Sequence, residues 1–199
     1  MVAEEGLGQV APCRITVSLS RADLLVCADI ARERSQYRDY KSGGVWQRGL
    51  IEPQVVDGIG AMTRQEMSIL VGSVGEYAVS AVLRSSLGSC GIDSALRASG
   101  DFGVDIEAHG LTVQVKTRKR ARESSLIKVG TNRSVAACFC EWTCGPSVDV
   151  LGWQWTKDIE RMEREESAFG SWFNIVIRDI DLLPMRRLAV ELQTWKELQ

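Results

Sequence analysis

The residues from Phe102 to Lys116 constrain the fold more than any other stretch of the chain. Phe102, Val104 and Ile106 alternate with Gly103, Asp105 and Glu107. Beyond His109-Gly110, Leu111, Val113 and Val115 alternate with Thr112, Gln114 and Lys116. Successive side chains of a strand point to opposite faces, so the pattern predicts two half-buried strands. His109-Gly110 fits a two-residue turn, with the glycine supplying positive φ. Ala108 then faces Leu111, Glu107 faces Thr112, Ile106 faces Val113 and Asp105 faces Gln114. A one-residue slip would turn the apolar set outward, which fixes the register. Asp105, Glu107, Gln114 and Lys116 share the polar face.

A helix is predicted over residues 63–87. Met67, Leu70, Val71, Val74, Ala78, Ala81 and Val82 fall on one face at three- and four-residue spacing. A second stripe, Gly72, Ser73, Glu76, Val79 and Ser80, surrounds one carboxylate with small residues. An earlier helix opens at Ser20, a cap with Asp23 three residues on, and runs to about Tyr37 through Leu24, Cys27, Ala28 and Ala31. Residues 1–15 read as a loose start and 41–57 as a long connection. Strands are predicted over 135–142, 148–155 and 173–177. A helix is predicted from 156 to about 166, and a closing helix is opened by Asp181-Leu182-Leu183-Pro184. The order is that of a mixed α/β domain over 63–199, preceded by a helical N-terminal extension and connection over 1–62.

Composition narrows the function classes. With 45% apolar and 25% charged residues, the chain is neither disordered nor fibrous. Ser68 to Leu83, the longest apolar-rich stretch, is interrupted by Glu76, so no uninterrupted membrane span is read. Glu4 and Glu5 stand where a secretion signal needs positive charge, and a cytoplasmic location is expected. The net charge is −2, but residues 114–133 carry seven basic side chains against Glu123 alone. That stretch is +6 and the remainder −8, which suits local contact with a polyanion. Six cysteines (Cys13, Cys27, Cys90, Cys138, Cys140, Cys144) are expected as free thiols.

The polar face of the hairpin offers phosphodiester chemistry. Hydrolysis needs the phosphoryl charge neutralised and a water activated, and a divalent cation held by carboxylates does both. Asp105, opposite Gln114, with Lys116 two residues on, forms such a set, and Glu76 can join from the preceding helix. A lysine there stabilises developing negative charge. The bland alternative is an exposed sheet face with an Asp105–Lys116 salt bridge.

The stretch Gly75-Glu76, Gly103-Val104-Asp105 and Gln114-Val115-Lys116-Thr117 resembles the PD-(D/E)XK nuclease superfamily. Val148-Asp149-Val150-Leu151-Gly152-Trp153 and Asp179-Ile180-Asp181-Leu182-Leu183-Pro184-Met185 are similar to later segments of bacterial and phage members. The resemblance covers residues 63–192 and implies a restriction-endonuclease-like mixed sheet flanked by helices. It also implies Mg²⁺, replaceable by Mn²⁺, held by Asp105, Gln114 and Glu76, with Lys116 as the catalytic lysine. Glu76 matches the helix glutamate of the resolvase-like and exonuclease-like branches. Gln114 departs from the pattern, since Glu or Asp is commoner there.

The implied activity is metal-dependent hydrolysis of DNA. The alternatives are a junction resolvase, which needs a homodimer, and a nucleic-acid-binding or assembly module with a weakened site. Arg118, Lys119, Arg120, Arg122 and Lys128 are expected to contact phosphates. Some members of the superfamily carry an iron–sulfur cluster. Here Cys138 and Cys140 fit a buried strand, and no cluster is expected. Glu107 reads as a solvated strand residue and Asp101 as a turn residue. Trp142, Trp153 and Trp155 read as core before base-stacking platforms.

Overall fold

The computed structural model describes residues 14–41, 54–88, 91–92, 105–119, 124–128, 134–162, 164–166, 173–178 and 181–197. β1 (Ile15–Ser18) leads into α1 (Arg21–Lys41). β2 (Gln54–Val56) and β3 (Gly60–Met62) form a small hairpin before α2 (Arg64–Leu87). There follow β4 (Gly91–Ile92), β5 (Ile106–Ala108), β6 (Leu111–Lys119), β7 (Ser124–Lys128), β8 (Ala136–Trp142) and β9 (Ser147–Trp155). After α3 (Thr156–Ile159) come β10 (Arg164–Glu166), β11 (Phe173–Arg178), a 3-10 turn (Met185–Arg187) and α4 (Leu188–Glu197).

Both long helices begin with reciprocal caps. The Thr63 hydroxyl accepts the Glu66 N–H at 3.2 Å, and the Thr63 N–H donates to the Glu66 carboxylate at 2.7 Å. Ser20 and Asp23 repeat the device at 3.2 and 2.9 Å, with the shorter acid in the glutamate's place. Asp23 also accepts the Tyr77 hydroxyl at 2.7 Å, which ties the first turn of α1 to α2. This bond, with the Ser20 hydroxyl, holds the Asp23 carboxyl below its ordinary value, and it raises the Tyr77 phenol.

The main sheet is six-stranded and mixed, in the order β1-β9-β8-β6-β5-β4. Its one parallel joint, β6 with β8, needs a crossover. The chain makes it through β7, which pairs with β11 in a second sheet of order β10-β11-β7. The second sheet covers one face of the first: Ile175 and Ile177 pack with Ala137, Phe139 and Leu151. On the other face, α2 and α1 pack over Val113, Val115, Cys138, Cys140 and Val150. α2 is long and apolar enough to cross a membrane, but most of it is buried here as the core helix.

The stretch expected as an N-terminal extension enters this core. β1 pairs with β9 from Ile15↔Val150 to Ser18↔Ser147, and Leu24, Cys27, Ala28 and Ala31 of α1 join the α2-side cluster. The helix expected from 156 to about 166 stops at Ile159. Arg164 to Glu166 instead pair with Ile175 to Phe173, where a ladder partner overrides local preference. The short strands β1, β2, β3, β4, β7 and β10 were not predicted.

β9 carries a bulge. Phe139 faces Gly152 and Cys140 faces Val150, so Leu151 is the extra residue. Beyond it the Trp153 and Leu183 backbones bond each other at 3.0 and 2.8 Å. A Cβ at Gly152, whose φ is 155°, would lie 2.7 Å from the Leu183 carbonyl oxygen. Only glycine fits that approach.

Candidate active site

The turn between β5 and β6 is His109-Gly110, with φ values of 52° and 78°. The ladder pairs Ala108 with Leu111, Glu107 with Thr112 and Ile106 with Val113, as expected. His109 Nε2 lies 3.0 Å from the Leu87 carbonyl oxygen, so the hairpin tip meets the last turn of α2.

The expected next pair, Asp105 with Gln114, does not continue the ladder. The Asp105 N–H donates to the Val113 carbonyl at 3.1 Å, so Asp105 and Ile106 both oppose Val113, the two-against-one count of a bulge. The Asp105 carboxylate then accepts the Val115 N–H at 2.6 Å. A charged acceptor makes a stronger bond to a backbone N–H than a carbonyl does, which explains why the side chain takes the ladder's place. Through the Val113 and Val115 backbones the aspartate spans the main chain of Gln114.

Gln114 and Lys116 face the side of the second sheet, opposite Ala137 and Phe139. Gln114 is 4% exposed, and its Oε1 has no hydrogen-bond donor among the described residues. Lys116 is half-buried. Glu76, 7% exposed, comes from α2 on the opposite side of the sheet, and its Oε1 lies 3.8 Å from Arg34 Nη1 of α1. The four expected site residues therefore do not share one face. Gln114 and Lys116 point to one side, Glu76 approaches from the other, and Asp105, in the bulge with Ile106 and close enough to Cys138 to raise its thiol, lies toward the α2 side as well. The placement of Glu76 corrects the expectation that it joins Gln114, because α2 must bury its apolar stripe on the Val113–Val115 face.

The basic run is corrected in part. Arg118 is buried, and its Nε and Nη2 both donate to Glu141 Oε2 at 3.2 Å, so it serves the β6–β8 joint rather than the surface. Lys119 is exposed, and its amine donates to Gln54 Oε1 at 2.9 Å. Arg120, Arg122, Asp101 and the Lys128 side chain lie outside the described residues, as do Cys13 and Cys90. Glu107 is exposed. Trp142 and Trp153 are fully buried. Trp155 is half-buried and sits edge-on to Trp153 at 4.9 Å.

Cys138 and Cys140 point together to the α2 side and are fully buried. Cys140 Sγ donates to the Gly75 carbonyl at 4.0 Å, and Cys27 Sγ donates to that of Ser73 at 3.7 Å. Burial pushes the Cys27 thiol up to about 12, helped by the Glu76 charge. It also raises Cys138, with Cys140 and Asp105 adding to it, and it raises Cys140. Thiolates are the reactive form, so these three should resist iodoacetamide at pH 8 in the native protein while half-buried Cys144 reacts. Peptide mapping by mass spectrometry checks this. Labelling of Cys138 at the rate of Cys144 would contradict the buried placement.

Among the described residues no group of three His, Cys, Asp or Glu side chains is placed to hold a metal ion. A cation held on this face of β6 would take the Gln114 amide oxygen as a ligand, with water completing its shell. The undonated amide oxygen fits that use, since it is a buried acceptor in want of a positive partner. Two participants carried no sequence signal. Arg34 reaches Glu76 through helix packing, and Glu141 reaches Arg118 through a parallel pairing distant in sequence. No family model, curated protein or solved structure matches the chain.

Proposed function

We propose that the chain is a metal-dependent nuclease of the PD-(D/E)XK type that hydrolyses phosphodiester bonds in DNA, on a restriction-endonuclease-like fold. The observation that carries this reading is the buried Gln114 side-chain oxygen without a hydrogen-bond donor, with Lys116 two residues on along the same strand face. A buried acceptor left unsatisfied costs about 1–3 kcal/mol, so an electropositive partner is favoured there. An amide oxygen suits a hard cation such as Mg²⁺ or Mn²⁺, which keeps several waters. When bound, it would supply Lewis-acid polarisation of the phosphoryl oxygens and a more acidic water.

The chain's own residues do the rest. The Val115 N–H fixes the direction of the Asp105 carboxylate. The Lys116 amine donates to the phosphoryl oxygen on which negative charge grows. Lys119, exposed at the end of the same strand, positions the backbone of the nucleic acid.

The test is cleavage of single-stranded, duplex and branched DNA with Mg²⁺ or Mn²⁺. Asp105→Ala and Lys116→Ala should each lower the rate by about 10³-fold, the scale of a lost general or electrostatic catalyst. Duplex binding without metal should persist, since Asp105→Ala removes a charge that repels phosphate. A preference for branched substrates by a dimer would favour a junction resolvase. A second reading, a nucleic-acid-binding module, has its own support: Gln114 brings no charge, and Glu76 faces Arg34. Binding without cleavage on every substrate would establish the module and exclude the nuclease.

A further inference from the structure

We infer that the outer edge of β1 is an interaction surface for a second copy of this chain, joining the two main sheets across a two-fold axis at Thr16. The inference is independent of the nuclease reading.

Strand order puts β1 at one end of the six-stranded sheet, with β9 on its inner side and no strand on its outer side among the described residues. The outward backbone N–H and C=O groups of an edge strand are a template for a further strand. The other end of the sheet, β4, is two residues long and offers little. Proline, lysine or a bulge commonly guards such an edge. Residues 14–18, Arg-Ile-Thr-Val-Ser, contain neither proline nor lysine, and β1 pairs with β9 at four consecutive positions without a shift of register.

The sequence of this edge is complementary to itself. A two-fold axis perpendicular to the sheet runs the two edge strands antiparallel and opposes residues of the same face, so only pairs of like parity are allowed. The register that uses all of 14–18 sets Thr16 against its own copy, Ile15 against the partner's Val17 and Arg14 against the partner's Ser18. Ile15 and Val17 are half-buried and pack against the α2-side cluster, so each gains a β-branched neighbour on the apolar face. Thr16 meets threonine, a favourable cross-strand pair. No like charges are opposed. On the polar face, Thr16 pairs with Asp149 of β9 and its hydroxyl donates to that carboxylate at 2.7 Å, so the row through the axis carries one aspartate from each copy. Arg14, 43% exposed and 3.2 Å from its own Asp149, stands in the adjacent row. The two Arg14 side chains therefore flank the acidic row, one on each side, and the charges across the joint are complementary. So short a joint buries less than a standard interface, which makes the dimer one of the weak, concentration-dependent class.

Sedimentation velocity on the full chain, from about 5 to 500 µM, should show the 22.0 kDa monomer passing reversibly into a dimer. Thr16→Lys is the discriminating variant. In its own chain the lysine faces Asp149, an opposite charge, whereas across the axis it faces a second lysine. It should keep a cooperative thermal melt and weaken self-association by about tenfold or more. Thr16→Cys should form a disulfide with its own copy under mild oxidation, because opposed Cα atoms of an antiparallel pair lie about 4.5–5.5 Å apart. Ser18→Cys should not, since its opposite number is Arg14. Peptide mapping by mass spectrometry separates these links from any made by the native cysteines. A chain that stays monomeric at every concentration would overturn the inference. So would a wild-type dimer that Thr16→Lys leaves equally tight, or one that Thr16→Cys does not lock, since self-association would then use another face. The cysteine map decides the matter even if Thr16→Lys does not fold.

Discussion

Gly75→Ala should lower stability by about 3 kcal/mol, although alanine is the better helix former. In an open helix the change gains about 1 kcal/mol. Here a Cβ on residue 75 would overlap the Thr117 hydroxyl oxygen and lie 3.0 Å from its Cβ. No rotamer choice at residue 75 relieves that contact, so α2 and β6 must part, and overpacking of this kind costs about 1–3 kcal/mol or more. Thr117→Ala should rescue it. Alone, that change removes a buried hydroxyl with no hydrogen-bond partner among the described residues, so it should be close to neutral. In the double variant the tightest of these contacts left is the 3.0 Å one between the two Cβ atoms, and a shift of a few tenths of an ångström absorbs it. Thermal and urea melts of the four proteins should give a favourable coupling of about 2 kcal/mol. Additive effects would mean that the two backbones do not meet at this point. The contact also bears on the site, because Thr117 adjoins Lys116 and the α2–β6 spacing sets the height of that strand.

The same contact shows where sequence reasoning reached its limit. The small-residue stripe on α2 announces a close approach, but the approach falls on Gly75, which lies outside that stripe. Which strand arrives is a matter of tertiary packing. The hairpin was legible to its register because alternation on both strands and a glycine turn between them agree. The register was misread only at Asp105, where a carboxylate takes a backbone donor and shifts the strand by one. Alternation sees faces and is blind to such a bond. The facing of Gln114 and Lys116 was likewise legible, but not the side from which Glu76 comes, since that depends on which face α2 covers. Arg34 lay in a stretch with no assigned role, and its meeting with Glu76 follows from α1 packing on α2. The basic run misled at Arg118 because charge counting assumes that charged side chains are solvated.

Arg118 gives the second large effect. Replacing it with alanine leaves Glu141, 7% exposed, deprived of both guanidinium bonds inside the β6–β8 joint. Breaking a buried ion pair from one side costs about 3–5 kcal/mol, because the remaining charge stays desolvated. For a domain of ordinary stability that is a large share of the whole, so Arg118→Ala should melt roughly 6–20 °C below the wild type. Replacing both partners with apolar residues of similar volume, Arg118→Met with Glu141→Leu, should recover most of the loss, since the desolvation penalty disappears with the pair. This double variant separates the structural role from a phosphate contact. If Arg118 serves only the joint, its duplex affinity and salt dependence should match those of the wild type, whereas Lys119→Ala should flatten the slope of log affinity against log salt by about one unit. A folded double variant that loses that unit of slope would return Arg118 to the nucleic-acid surface, and the buried pair would then have to open on binding.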